Sequence, residues 1–408
     1  MSSVLVIGGG ASGLVASIYA SKNNKVILVD KNNNLGKKIL ITGNGKCNYW
    51  NKDISVKHYN SSDIELLSGI INDKNKLEID DFFRRLGIVP KIRDNYYYPI
   101  SGQATSIQTA LVLEAELCGV DIYNNEKVIS VDRCDDSFKV VTSSKEFVVD
   151  KVLVSTGSKA CPKTGSTGFG YDIASKFGHT IVEPLPALVQ LRLDGTYFKE
   201  WAGIRSDVSV KLYENNKLIK EECGEIQLTD YGVSGICVFQ LSSYVSRGLY
   251  NFCREEIEIN FLSSLDIYNE EDFIRYFDDR NRLVKNRNIS QLLDGILNYK
   301  LINLFLRISK IDRDCMWEEI DRNKKILLGK LLTKNRFLVK CTNGFDSAQV
   351  CSGGVRLSEI NLDTMESLKQ KGLYLTGEVI DVDGECGGFN LGFAWITGYL
   401  AGKNMGDI

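Results

Sequence analysis

The feature that most constrains this chain lies at its start. Val4-Leu5-Val6-Ile7 is a short apolar run, the pattern of a buried parallel strand. It leads into Gly8-Gly9-Gly10-Ala11-Ser12-Gly13, which fits G-x-G-x-x-G. A helical stretch follows, carrying Leu14, Ile18 and several small residues. Lys25-Val26-Ile27-Leu28-Val29-Asp30 then reads as a second strand that ends on a carboxylate. The glycines have separate roles. Gly8 permits the tight turn, Gly10 lets backbone amides approach a pyrophosphate, and Gly13 lets helix pack closely on strand. The helix N-terminus adds unpaired N–H groups and the positive end of a dipole. Asp30 follows Gly13 by 17 residues, where it can accept hydrogen bonds from adenosine ribose hydroxyls. The hexapeptide alone is a weak signal. Strand, glycines, helix, strand and acid in that order predict a dinucleotide fold, without separating NAD from FAD.

The far end of the chain turns the expectation toward FAD. Gly372 to Glu378 reads as another apolar strand ending in glycine and acid, followed by Asp381, Asp383 and Gly384. Gly387-Gly388-Phe389-Asn390-Leu391-Gly392 then opens an apolar helix, Phe393 to Ala401. So many glycines and carboxylates are costly in a strand-turn-helix that merely completes a sheet. They suit a return to the nucleotide domain, with the acid at the ribityl or phosphate region. The helix N-terminus then faces the flavin pyrimidine ring, where it stabilises negative charge on the reduced ring.

Two further glycine-rich stretches accompany this. Gly36 to Asn48 carries cations and free amides and can wrap a phosphate or the flavin edge; Cys47 at the Ser/Thr position and the wrong glycine spacing exclude a P-loop. Val152 to Gly157 is strand then glycine, suited to closing over the adenosine side. Gly165 to Gly170 lacks a following acid-tipped strand and reads as a loop and helix cap. One dinucleotide domain is therefore expected, with no separate NADPH domain.

Composition narrows the rest. The 50 Lys and Arg against 52 Asp and Glu give a net charge of -2, which argues against a sequence-independent grip on nucleic acid or anionic lipid. Only His58 and His179 are present, so a multi-histidine zinc site is excluded and no metal is expected. The 11 cysteines include no C-x-x-C pair, which points to reduced thiols in a cytoplasmic protein and away from disulfide reductase chemistry. Met1 to Ser21 lacks the basic start of a signal peptide, and glycines interrupt its apolar run.

The run Gly36 to Asn48 resembles the G-[RK]-K-[IL]-L-[IL]-[ST]-G-x-G-[RK]-C-N signature of the BaiN-like bacterial NAD(P)/FAD-dependent oxidoreductases, a group of bile-acid reductase-like and aminoacetone oxidase-like flavoproteins. The resemblance runs through Tyr98-Pro99-Ile100-Ser101, Pro162 to Gly168, Pro186 to Val189, Gly224 to Gly235, Gly353-Gly354-Val355, Thr364 to Ser367 and Gly377 to Leu391. It implies an α/β architecture: a Rossmann-type FAD-binding domain split in sequence, an inserted β-barrel-like domain and a small helical domain. It also implies FAD contacts at Gly8, Gly10, Ala11, Ser12, Gly13, Asp30, Lys31, Lys38, Gly43, Gly45, Asn48, Val128, Thr156, Gly157, Gly377, Asp381, Gly388, Asn390 and Leu391. Asn44, the Cys351-Ser352 pair and the missing proline after Gly235 depart from the usual pattern. The last two fall where substrate is expected, so substrate class stays open.

The expected division is 1–187 for the first part of the FAD domain, 188–262 for the β-barrel-like domain, 263–335 for a helical insertion, 336–350 for a return strand and 351–408 for the FAD domain's second part. Alternating strands around a turn at Asn215-Asn216 support the β assignment. Asn269 and Ser290 are the expected helix N-caps. His179 reads as a structural capping residue. Tyr96-Tyr97-Tyr98 before Pro99 must be extended, and either lines a pocket or stacks on a sheet.

No nucleophile or acid-base pair stands out; Lys46, Cys47 and Tyr97 are the pocket residues expected. The expected activity is flavin hydride transfer, with NAD(P)H as a transient donor to FAD and an activated C=C bond in a small ring or enone, bile-acid-like, as the acceptor. Alternatives are an O2-using oxidase of small amines and a non-catalytic redox sensor built on a thiol such as Cys47 or Cys386. The expected partner is a small molecule, with neither nucleic acid nor membrane; oligomeric state is open.

Overall fold

Short runs of valine, leucine and isoleucine, apolar on both faces, build the central sheet. In the computed structural model, which describes residues 1–406, five strands lie in the order Leu373–Leu375, Lys151–Val154, Ser3–Ile7, Lys25–Val29, Asp121–Tyr123. Every neighbouring pair is parallel. Val4, Leu5, Val6, Val152, Leu153 and Val154 are fully buried, as strands covered on both faces must be. Parallel strands end at the same edge, so Gly8, Asp30, Thr156, Gly157 and Gly377 all gather there.

The strand Leu373–Leu375 comes from the opposite end of the sequence. It is followed by the C-terminal helix Phe389–Asn404, which packs on the N-terminal helix Ala11–Ala20. A Cβ on Gly398 would collide with the Ser12 carbonyl, and one on Gly402 with the Ala16 carbonyl. Trp395 of the same helix adds a further anchor, its Nε1 donating to the Tyr49 carbonyl at 2.8 Å.

The chain divides into two units, Met1–Leu185 with Ala348 onward, and Pro186–Ser347. Positions 407–408, at the end of the expected 351–408 segment, lie outside the described residues. The first unit also holds a small antiparallel sheet, with Tyr96–Pro99 between Trp50–Asn51 and Pro90–Arg93. The tyrosine run is thus extended, in keeping with the proline that ends it.

In the second unit, six strands among the described residues close a barrel: Leu191–Leu193, Gly232–Gly235, Lys217–Thr229, Arg205–Glu214, Glu255–Asn260 and Asn335–Thr342, the last returning to the first. Asn215 and Asn216 make the hairpin turn in left-handed conformation, φ 50° and 68°, which asparagine tolerates well. Four helices sit between the last two strands in sequence: Glu270–Leu283, Ile289–Leu293, Tyr299–Ile308 and Arg322–Thr333. Their apolar faces share one hydrophobic core with the barrel, through residues such as Phe273, Phe277, Phe305 and Leu332. Asn269 caps the first of these helices. Ser290 caps none: it lies inside the second, whose cap is Asn288, paired with Gln291 in a capping box.

One polar pair in the barrel carries a measurable consequence. Glu255 lies across the ladder from Glu214 and is 1% exposed. Gly248, on the helix Ile236–Tyr250, provides the space: its Cβ would collide with Glu255 Oε1 and lie 3.0 Å from Glu214 Oε2. Burial, and then the neighbouring Glu214, push the Glu255 carboxyl up to about 7. The folded protein therefore holds a proton that the unfolded chain releases at lower pH. Stability from this site is fully present below the ordinary glutamate range and falls as pH rises toward about 7. Glu255→Gln removes that dependence. Thermal unfolding followed from about pH 5 to 8 should show the parent losing stability relative to the variant as pH rises; parallel curves for the two proteins would refute the assignment.

Candidate functional site

The sheet's carboxyl edge carries the glycine turn. Gly8 adopts φ +102°, donates to the Val29 carbonyl at 2.9 Å and accepts from Ser155 Oγ at 2.8 Å. A Cβ on Gly13 would collide with the Gly8 carbonyl, so helix and turn meet only because residue 13 is glycine. Gly10 is the N-cap of the first helix, and a Cβ there would meet nothing within 4 Å. Open space thus lies in front of this helix terminus, beside Ala11 and Ser12 of its first turn.

Two helix starts matter here. The N-terminal helix begins at Gly10 and the C-terminal helix at Gly388 (φ +92°), neither with a side-chain cap nor with an acid in its first turn. The helices Ala104–Leu117 and Ile236–Tyr250 share that lack, whereas five others are capped by Asn72, Asn269, Asn288, Asn298 and Asp321. Uncapped starts leave backbone donors and a positive dipole end available for an anion. A dinucleotide needs such donors at its pyrophosphate, and a flavin needs them at its pyrimidine carbonyl, so the residues present fit both groups.

The polar side chains nearby brace the loops. Asp30 accepts from Gly9 N at 2.7 Å and Asn32 N at 2.8 Å. Lys31 donates to Thr167 Oγ1 at 3.3 Å, and partial burial lowers its amine from the usual lysine range. Val128 is buried, a short step from Glu126, whose N–H donates to the Asp30 carbonyl at 2.9 Å. Gly157 turns with φ +72° beside Ser166. Gly377, φ +70°, donates to Thr397 Oγ1 at 3.0 Å and would press a Cβ to 2.7 Å from Ser12 Oγ.

A second group lies around the other glycine loop. Ile39–Gly45 is a 3-10 segment broken at Thr42, Gly43 and Asn44, with Gly43 and Gly45 at positive φ. Lys38 Nζ pairs with Glu378 Oε2 at 2.6 Å, and Ser158 Oγ donates to the same oxygen at 3.3 Å. A Cβ on Gly43 would lie 3.1 Å from Asn48 N, and one on Gly388 2.8 Å from the Trp50 carbonyl and 3.0 Å from Asn48 Oδ1. Asp381, 2% exposed, accepts from Ser62 N at 3.0 Å. Asn390 accepts from Gly384 N at 2.8 Å and donates to the Gly384 carbonyl at 2.7 Å, fixing the loop before the C-terminal helix. Leu391 is half-buried within the first turn of that helix.

The three expected pocket residues part company. Lys46 is exposed on its loop. Cys47 is fully buried, and burial pushes its thiol up to about 12, which removes it as a reactive or sensing thiol. Tyr97 turns to the core side, its ring edge-on to Tyr49 at 6.2 Å. Tyr96 and Tyr98 point the other way: a Cβ on Gly387 would collide with the Tyr96 ring, and one on Gly43 would lie 3.6 Å from Tyr98 Cε1.

Two residues had no signal in the sequence. His58 sits between Glu385 (Nδ1, 2.8 Å) and Asp53 (Nε2, 3.1 Å), and stacks on Phe389 at 4.4 Å. Tyr171, buried at the start of the helix Phe169–Lys176, has a hydroxyl with no hydrogen-bond partner; burial raises it well above the ordinary tyrosine range. His179 is buried with Nε2 2.6 Å from Ser367 Oγ, a structural placement at the end of the same helix. Among the described residues the cysteines are all free, no group of His, Cys, Asp and Glu could hold a metal ion, and no helix is long and apolar enough to cross a membrane.

Comparison with known proteins follows the same lines. A 3-dehydro-bile acid delta(4,6)-reductase of Clostridium scindens is 37% identical over 99% of this chain and 98% of its own length. A ribosomal RNA dihydrouridine synthase of Escherichia coli is 27% identical over 98% of this chain and 97% of its own. Among solved structures, a flavocytochrome c3 fumarate reductase in its open conformation superposes with a TM-score of 0.51 at 16% identity, covering 99% of this chain and 78% of that one; the likeness is one of fold. The family described as HI0933-like protein Rossmann domain matches residues 2–404, and with the strand, glycine and helix geometry above the chain belongs to that family.

Proposed function

We propose that this protein is an FAD-dependent oxidoreductase that reduces a carbon–carbon double bond conjugated to a carbonyl in a small ring substrate, with NAD(P)H as electron donor. The observation that carries the reading is the close-packed glycine turn from Gly8 to Gly13 at the head of the first helix, tied through the Gly377–Ser12 contact to the segment that leads into a second glycine-led helix start from the other end of the chain. Gly10, Ala11, Ser12 and Gly13 would hold the pyrophosphate, and Asp30 and Lys31 the adenosine side. Gly388 and Leu391, at the second helix start, would hold the pyrimidine edge. When bound, FAD supplies hydride transfer at its N5. The protein's share is to position the ring, to offer backbone donors to its charge and to exclude water.

The names of two relatives support the same chemistry. One is named a delta(4,6)-reductase of a 3-dehydro-bile acid and the other a dihydrouridine synthase, and both names speak of a ring gaining hydrogen. The higher identity to the former and the near-zero net charge favour an apolar ring over an RNA as substrate.

Under nitrogen, the purified yellow protein should bleach with NADH or NADPH and recover its colour on addition of a 3-oxo-4,6-diene bile acid, with the reduced steroid as product. Bleaching by neither nicotinamide removes the donor assignment, and peroxide release with aminoacetone would make it an amine oxidase. Gly13→Val should weaken flavin retention roughly tenfold or more by forcing the first helix off the Gly8 turn. Absorbance of bound flavin after gel filtration, beside circular dichroism for the fold, measures it; full flavin occupancy in the variant would refute the assigned cradle.

A further inference from the structure

The hairpin Pro90–Arg93 with Tyr96–Pro99 has two unlike faces. Its register pairs Lys91 with Tyr98 and Arg93 with Tyr96. Pairs two residues apart share a face, so these four side chains form one surface, while Ile92 and Tyr97 lie on the other. Tyr97 packs against the core and holds the hairpin in place. The opposite surface meets both glycine loops: the Tyr96 ring fills the space at Gly387, and the Tyr98 ring lies over Gly43. Glycine at both positions lets an aromatic ring approach the backbone that leads into the proposed flavin site.

The charges on this surface are unbalanced. Lys91 and Arg93 are exposed, and among the described residues neither side chain makes a hydrogen bond or ion pair. Several other cations of the same unit are paired, Lys57 with Asp53, Lys76 with Asp73, Arg84 and Arg85 with Asp81, while exposed Lys52, whose N–H bonds the Asn95 carbonyl at the hairpin turn, adds to the positive charge here. Two acids face the tyrosines, Asp94 at the turn and Glu385, and Glu385 is held by His58 at 2.8 Å. The Tyr98 end has the Arg93 guanidinium for its charged neighbour. Tyr96 and Tyr98 are half-exposed, and burial raises their hydroxyls, which leaves them neutral phenols across the working pH range.

We infer that this face of the tyrosine hairpin recognises the substrate: Tyr96 and Tyr98 receive an apolar fused ring, and Arg93 and Lys91 pair with a carboxylate at its far end. The inference rests on the function proposed above and names its substrate class, an anionic steroid-like acid. A guanidinium fork suits a carboxylate in two-point contact, with the lysine adding a point charge. The ring bearing the double bond then extends toward Gly387 and Gly388.

Binding is measured by titration calorimetry on the holoprotein, so that the result stands apart from turnover. The probes are a 3-oxo-4,6-diene bile acid and its neutral methyl ester. The doubly substituted Lys91→Ala, Arg93→Ala protein should bind the acid roughly tenfold more weakly, with the ester changed by less than about twofold. Added salt should weaken acid binding in the parent and leave the variant unmoved. In turnover, the loss should appear in KM for the acid, with kcat preserved. Both substitutions are at exposed positions, and retention of yellow colour confirms an intact fold. Equal affinity for the acid in parent and variant, parallel loss for acid and ester, or no binding of the acid by the parent would overturn the inference. Charge-dependent binding of the acid without its reduction would leave this recognition face standing and sink the reaction proposed for it.

Discussion

The structure of the nucleotide unit depends on a helix crossing between the two ends of the chain. Gly398 and Gly402 are four residues apart and so lie on one face of the C-terminal helix; Ser12 and Ala16 have the same spacing on the first. At both contacts the backbone of one helix rests on a carbonyl of the other, with no room for a methyl group. This closeness does more than fill the core. It brings the first turn of the N-terminal helix beside Gly377, and the chain from Gly377 continues to the start of the C-terminal helix. Two positive helix ends, distant in sequence, are thereby fixed within one unit.

From that constraint follows a division of labour between backbone and side chains. The donors left free are main-chain N–H groups, which do not titrate and carry no rotamer entropy to lose on binding. The polar side chains that a sequence reading ranks as ligands are largely occupied in bracing the loops around those main-chain groups. Asp30 braces Gly9 and Asn32, Lys38 is joined to Glu378, and Asn390 clamps Gly384. A carboxylate accepting two backbone N–H bonds still has lone pairs for a ribose hydroxyl, so bracing and binding coexist at Asp30. Binding charge through oriented amides keeps the site's electrostatics nearly constant over the pH range in which these side chains stay ionised.

How much of this was legible in the sequence follows from the range of each interaction. Strand, glycine turn, helix and acid are local, so Gly8 to Asp30 could be read directly, as could the Asn215-Asn216 turn. The helix cap at residue 290 was displaced because both Asn288 and Ser290 are good capping types; the Asn-x-x-Gln spacing from 288 to 291 was the signal that decides between them. Tyr96, Tyr97 and Tyr98 are chemically alike, and alternation says only that the middle one differs from its neighbours. Which face meets the core depends on Trp50 and Tyr49, brought alongside by pairing. His58 and Glu385 are separated by 327 residues, and nothing in either neighbourhood announces the other. Cys47 lies within a strong motif, yet its burial is a property of packing that no spacing reveals.

The same alternation explains how recognition can be separate from cofactor binding. Tyr97 and its edge-on contact with Tyr49 hold the hairpin to the core, while the side chains on its other face bear no part of that load. The side chains of Lys91 and Arg93 project from the face opposite Tyr97, so truncating them removes nothing from the core-facing side of the hairpin. The backbone cradle is intolerant by construction, since at Gly13, Gly398 or Gly402 a single added carbon collides with a carbonyl. Selection for a new substrate can therefore act on the exposed face of the hairpin, where side chains vary at small cost in stability, and cannot act on the cradle without losing it.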